Sequence, residues 1–134
     1  MRREVYEKLK ERLLRDGVIK HVALWNHNVE FIEQETAWER PAVFVEFEPV
    51  EWRCVVPGKE YHAEVRVRLH LVYAWSGDDA SGFDLLDKVH NSVANLEGES
   101  FSPLEPLEIR TNHNHEEIVE DIVTYSCQSA MFLR

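Results

Sequence analysis

The stretch Tyr61-His62-Ala63-Glu64-Val65-Arg66-Val67-Arg68-Leu69-His70-Leu71-Val72-Tyr73-Ala74-Trp75 decides the fold. Along it Tyr61, Ala63, Val65, Val67, Leu69, Leu71, Tyr73 and Trp75 share one face, while His62, Glu64, Arg66, Arg68 and His70 share the other. That alternation is the period of a strand with one buried face. At about 3.3 Å per residue such a strand spans roughly 50 Å if unbroken, where a typical strand has about 5–6 residues. Part of it is therefore expected to project from the body or to bend. A projecting apolar-faced edge needs a cover, and a second copy of the same chain is the expected one.

Upstream, Ala42 to Phe47 reads as a strand with Val43, Val45 and Phe47 on one face, followed by Pro49, Val50 to Val56 and a turn at Pro57-Gly58. With that turn Val56 faces Lys59, Trp52 faces Ala63 and Val50 faces Val65. Continued without a slip, Phe47 would face Arg68 and the two faces would mix. One extra residue near Pro49 repairs the register. Phe47 then faces Val67, Val45 faces Leu69 and Val43 faces Leu71, with Glu46 against Arg68 and Glu48 against Arg66. The pattern predicts a β-bulge at Pro49–Val50, where a missing N–H is tolerated.

Working outward, Val5, Leu9 and Leu13 form a helical stripe widened by Tyr6, and Gly17 ends it. Val22, Leu24 and the run Val29 to Ile32 read as short strands around Asn26-His27-Asn28. After the loop Ser76-Gly77-Asp78-Asp79, Ser81 is the expected N-cap, with Asp84 three residues on. The helix that follows turns Leu86, Val89, Val93 and Leu96 inward and is expected to stop at Gly98. Leu107 to about Asn112 and Ile118 to Phe132 read as a closing hairpin around Asn112–Glu117. The expectation is one α+β domain over residues 1–134 with a mainly antiparallel sheet. It has a long β-hairpin (about 42–75), an N-terminal helix (about 2–16) and a second helix (about 82–97) packed on the sheet.

Composition narrows the class of function. The chain of 134 residues is 44% hydrophobic and 30% charged, in the globular range, so disorder and coiled coil are not expected. Its longest apolar run is far short of the roughly 20 residues of a membrane span, and no signal-peptide pattern opens it. The expectation is a soluble intracellular domain that binds no membrane. Asp and Glu number 25 against 15 Lys and Arg, a formal charge of −10, which disfavours stable nucleic-acid binding. Cys54 and Cys127 are too few and too far apart for a disulfide framework or a zinc motif.

Four groups of residues could carry chemistry. His113, His115 and Glu116 or Glu117 could complete a zinc or iron site, since histidines at i, i+2 on a strand point the same way. The plainer reading, a polar hairpin end rich in Asn, is preferred because no metalloenzyme motif is present. The stripe His62, Arg66, Arg68, His70 with Glu64 could be an acid/base or anion site. Its preferred reading is a solvated or subunit-facing stripe balanced by Glu46, Glu48 and Glu51. Cys127, in the run Tyr125, Cys127, Ser129, Met131, reads as a buried small hydrophobe rather than a nucleophile. Trp25, Trp38, Trp52 and Trp75 lie near element ends and fit either interface rims or core edges. There is no P-loop, no Gly-rich phosphate loop and no GxSxG, and neither enzymatic activity nor a cofactor is expected.

The element order resembles that of the phage tail terminator (tail-completion) proteins. The resemblance runs through the opening helix with Val5, Leu9 and Leu13, the hairpin Ala42–Trp75, helix Phe83–Leu96 and the closing strands Leu107–Phe132. Two stretches add to it, PAVFVEF (residues 41–47) at the entry to the hairpin and TNHNHEEI (residues 111–118) before the last strand. The resemblance implies a non-enzymatic phage or prophage structural protein. It would form a homo-oligomeric ring, a hexamer by analogy, that caps the tail tube and joins it to the head. Its partners would be its own copies, the tail tube protein and the head–tail connector. Its place would be the virion tail, and the bacterial cytoplasm during assembly. The acidic charge suits a lumen through which DNA slides without sticking, provided that Glu46 and Glu48 neutralise Arg66 and Arg68. The interface candidates are Trp52, Tyr61, Arg66, Arg68, His70, Glu46 and Glu48. The alternatives are another head–tail joining or neck protein, a small metal-binding hydrolase or binding module built on His113, His115 and Glu116, and an acidic partner-binding module that docks through the hairpin.

Overall fold

A computed structural model describes residues 1–26, 38–75, 79–115 and 118–133. Helix α1 (Arg2–Leu14) leads to β1 (His21–Leu24), β2 (Ala42–Phe47), β3 (Arg53–Val56) and β4 (Glu60–Ala74). Helix α2 (Asp79–Val93), β5 (Glu105–His115) and β6 (Ile118–Phe132) follow. The strands form one sheet in the order β1-β2-β4-β6-β5, with β3 paired to the outer half of β4. All pairings are antiparallel except β1 with β2. The fold is α+β, as the pattern predicts.

The central register follows from the alternation in β4. Val43, Val45 and Phe47 face Leu71, Leu69 and Val67, and Glu46 faces Arg68, as expected. The hairpin turn also forms: Lys59 N–H donates to Val56 C=O at 2.9 Å, and Gly58 takes φ +70°, a conformation that glycine adopts without steric cost. The bulge at Pro49–Val50 is larger than a bulge. Pairing lapses between β2 and β3, although Glu48 N–H still reaches Arg66 C=O at 3.0 Å. Arg53 faces His62 and Phe47 faces Val67, so six steps on one strand match five on the other. The single-residue offset is therefore present. A second irregularity, at Val55 between Cys54 and Val56, lies closer to the tip and was not signalled by the alternation.

Where the sequence leaves β4 uncovered on its second side, the structure supplies β6. β6 pairs β4 from Ala74↔Ile118 to Glu60↔Phe132, along the whole strand. This corrects the expectation that a second copy must cover the long strand. No turn links β4 to β6, so no local signal announces the pairing.

Helices α1 and α2 lie on one face of the sheet. Val5, Leu9 and Leu13 from α1, and Val89 and Val93 from α2, join Val43, Val45, Val65, Val67, Leu69, Leu71, Val123, Tyr125 and Cys127 in the main core. Burial of about 25 cal/mol per Å² of apolar surface is what holds the layers together. Two boundaries of the second helix differ from the expected 82–97. It starts at Asp79, so Ser81 lies inside it and is not the N-cap. It ends at Val93, because Asn95 adopts φ +62°, the left-handed conformation that Asn tolerates, two residues beyond the last helical position.

Gly98 therefore does not stop the helix but allows a close approach. A Cβ there would meet Glu4 Oε1 and Phe101 Cε1, each at 2.5 Å. Glu4 accepts hydrogen bonds from Ser100 N–H (2.8 Å), Ser100 Oγ–H (2.7 Å) and Glu99 N–H (3.2 Å), tying the 98–101 loop to α1. The closing hairpin also differs. β5 continues through His115, with irregularities at Leu107 and Asn114, so Asn112 to His115 belong to the strand and not to the turn. Of the residues between α1 and β2, His21–Leu24 is the expected strand. The run Val29 to Ile32 and the pair His27-Asn28 lie outside the described residues.

Candidate interaction site

The face of the sheet opposite the helices is built differently. A small apolar cluster of Ala42, Phe44, Val72 and Ile118 is packed by Ala23, Trp25 and Trp38. Trp38 meets Phe44 edge-on at 5.0 Å between ring centroids. Trp25 and Trp38 thus take the core-edge role, whereas Trp52 and Trp75 are exposed.

Beside this cluster runs a charged stripe contributed by three adjacent strands. Alternation puts His70, Arg68, Arg66 and Glu64 of β4 on this face, and the register sets Glu46 of β2 and Glu120 of β6 on either side. His70 Nδ1 lies 2.6 Å from Glu120 Oε2, and His70 Nε2 lies 2.8 Å from Glu46 Oε1. Two such hydrogen bonds need two protons, both on the ring or one on a carboxyl group. The imidazole stacks on Trp25 with its plane 1° from parallel and 3.8 Å between centroids. Arg68 Nη2 donates to Glu48 Oε1 at 2.6 Å, and its Nη1 lies 3.8 Å from Glu46 Oε1. Arg66 Nε donates to Glu64 at 3.2 Å and lies 4.0 Å from Glu48. Asn112 Nδ2 reaches the second oxygen of Glu120 at 3.4 Å.

Five of the seven interface candidates, Glu46, Glu48, Arg66, Arg68 and His70, are therefore brought together, but mostly to satisfy one another. His70 is buried and both its ring nitrogens are taken within the chain. Glu46 and Glu48 form ion pairs with the two arginines. Glu120 was missed because it comes from β6, fifty positions away, and only the β4–β6 register delivers it.

The other two candidates, Trp52 and Tyr61, lie towards the end of the long hairpin. All of β3 is exposed, as are Pro57, Gly58 and Lys59. Tyr61 Oη accepts from Gly58 N–H at 3.0 Å, which braces the turn. Around this tip the chain exposes Trp52, Val55, Val56, Phe132 and Leu133. Phe132 faces Glu60, and Leu133 N–H donates to Lys59 C=O at 2.7 Å, so the end of β6 flanks the same tip. Large apolar groups gathered in this way form an exposed patch of the kind that interaction surfaces present. β5 is the second such feature: Glu105 to Asn112 are exposed, with Leu107 and Ile109 about half-exposed, and β5 is an edge strand.

The chemistry-bearing alternatives are placed as follows. The backbone of His113 and His115 belongs to β5, while their side chains and Glu116 and Glu117 lie outside the described residues. Among the described residues no group of His, Cys, Asp and Glu is arranged to hold a metal ion. Cys127 is buried, and burial pushes its thiol up to about 11, so at neutral pH it is an inert thiol; Cys54 is exposed. Among the described residues no helix is long and apolar enough to cross a membrane. No protein-family model matches this sequence, and no curated protein matches it.

Proposed function

We propose that the protein is a non-enzymatic, self-assembling structural subunit of the phage tail-terminator type. Its copies close into a ring that caps a tail tube and meets the head connector. The observation that carries this reading is the exposed apolar end of the long hairpin. Trp52, Val55, Val56, Phe132 and Leu133 sit at one end of a three-strand ladder, away from the helices that fill the core.

Two further features support it. The sheet ends in a long edge strand, β5, exposed on both faces, and unpaired edges of this kind are satisfied by strand addition. The charge of −10 would keep a DNA duplex from binding a ring wall, and the open-face arginines are neutralised by Glu46, Glu48 and Glu64.

The test is assembly. In native mass spectrometry and negative-stain electron microscopy the purified protein should give a closed oligomer, and it should bind polymerised tail-tube protein. Replacing Val55 and Val56 by Ser should abolish the oligomer while the subunit stays folded. A strict monomer at high concentration with no affinity for tube protein would overturn the reading.

A further inference from the structure

The chain exposes two unlike surfaces whose shapes and charges suit each other. The first is the hairpin tip. β3 has β4 on one side and, among the described residues, no strand on the other. It is four residues long, and it carries Val55 and Val56 together with Arg53; Lys59 follows in the turn. Neither Arg53 nor Lys59 has an ion-pair partner among the described residues.

The second is the rim formed by β5 and α2. Between its irregularities at Leu107 and Asn114, β5 pairs regularly with β6 from Glu108 to His113, and its other edge has no strand among the described residues. Beside it lies a groove of about 350 Å³ lined by Leu86, Asp87, His90, Leu107, Ile109 and Val123. Asp87 on its wall and Glu105 at the start of β5 are exposed acids, again without an ion-pair partner among the described residues.

We propose that the tip of one copy docks on the rim of the next: β3 adds to the free edge of β5 and seats Val55 in the groove beside Leu107 and Ile109. Arg53 and Lys59 then meet Asp87 and Glu105. The length fits, since a four-residue strand has a regular run from Glu108 to His113 to pair with. The contact also has the required symmetry. It joins two different patches of the same chain head to tail, and such a contact closes into a ring when its rotation is a whole fraction of a turn. Each copy would cover the outer edge of β5 with its neighbour's β3, while β1 remains the other edge of the sheet among the described residues. The inference rests on the ring reading above and names the surfaces that make it.

Val55 offers a direct test because the contact seats it beside Leu107 and Ile109, and of the two native cysteines Cys127 is buried while the exposed Cys54 can be removed. In a Cys54→Ser background, Val55→Cys would be combined with Ile109→Cys and, separately, with Leu107→Cys. Each would be oxidised mildly under assembly conditions and run on non-reducing gels beside native mass spectrometry. The contact predicts disulfide-linked ladders up to the ring for at least one double variant, and none from Val55→Cys, Ile109→Cys or Leu107→Cys alone. Arg53→Glu with Lys59→Glu should abolish both ladder and ring. Asp87→Lys with Glu105→Lys in the same chain should restore both. A ring of the expected mass without cross-links from either position would overturn this contact and leave the ring reading standing. A monomer throughout, also in the presence of tail-tube protein, would overturn both.

Discussion

Glu4, in the first turn of α1, accepts three hydrogen bonds from Ser100 and Glu99, and those from the Ser100 side chain and backbone hold its carboxyl below the ordinary value of 4.5. The folded state therefore binds this proton less readily than the unfolded state. The resulting stability is fully present above pH 4.5 and is lost as pH falls through the folded-state value. In urea denaturation from about pH 6 to about pH 3, Glu4→Gln should be the weaker protein at the higher pH, and its deficit should shrink towards the lower. Gly98→Ala should destabilise by about 1–3 kcal/mol, because its Cβ would overlap both Glu4 and Phe101. On the other face, His70→Leu would leave the Glu120 carboxylate buried and without its imidazole partner. A loss of about 3–5 kcal/mol in thermal or urea denaturation is expected, as for one member of a buried pair removed. A His70→Leu protein as stable as the parent would show that the stripe contributes little to the fold.

At the scale of elements, what the sequence made legible was whatever repeats locally. The alternation of β4 and the apolar faces of β2 set the register from Phe47↔Val67 to Val43↔Leu71 and the Glu46↔Arg68 pair, because a one-residue slip would expose the whole buried face. The offset near Pro49 was readable for the same reason. The second irregularity at Val55 was not, since every residue of β3 is exposed and no buried face constrains its register. The partner of β4's far side stayed hidden because β6 is joined to it by no turn, and register without a turn is a tertiary matter. Of the candidate site, the β2 and β4 half of the charged stripe was visible, whereas Glu120 and the stacking of Trp25 on His70 were not. The start of α2 was misplaced because Ser81 carries a capping signal although the helix begins two residues earlier. Layer packing is tested by Leu9→Ala, where α1 seats on the sheet; a loss of about 2–5 kcal/mol is expected in urea denaturation.

For the whole molecule, the helices cover one face of the sheet, the tryptophans cover part of the other, and apolar groups remain exposed at the hairpin tip and along β5. Burial in the core does not account for these groups, and the proposed assembly would cover them. Native mass spectrometry of the purified protein across a range of concentrations tests that most directly. The account predicts a closed oligomer, and six copies of the 15.8 kDa chain would give about 95 kDa. A protein that remains a 15.8 kDa monomer at the highest concentration, and that stays monomeric in the presence of tail-tube protein, would contradict it.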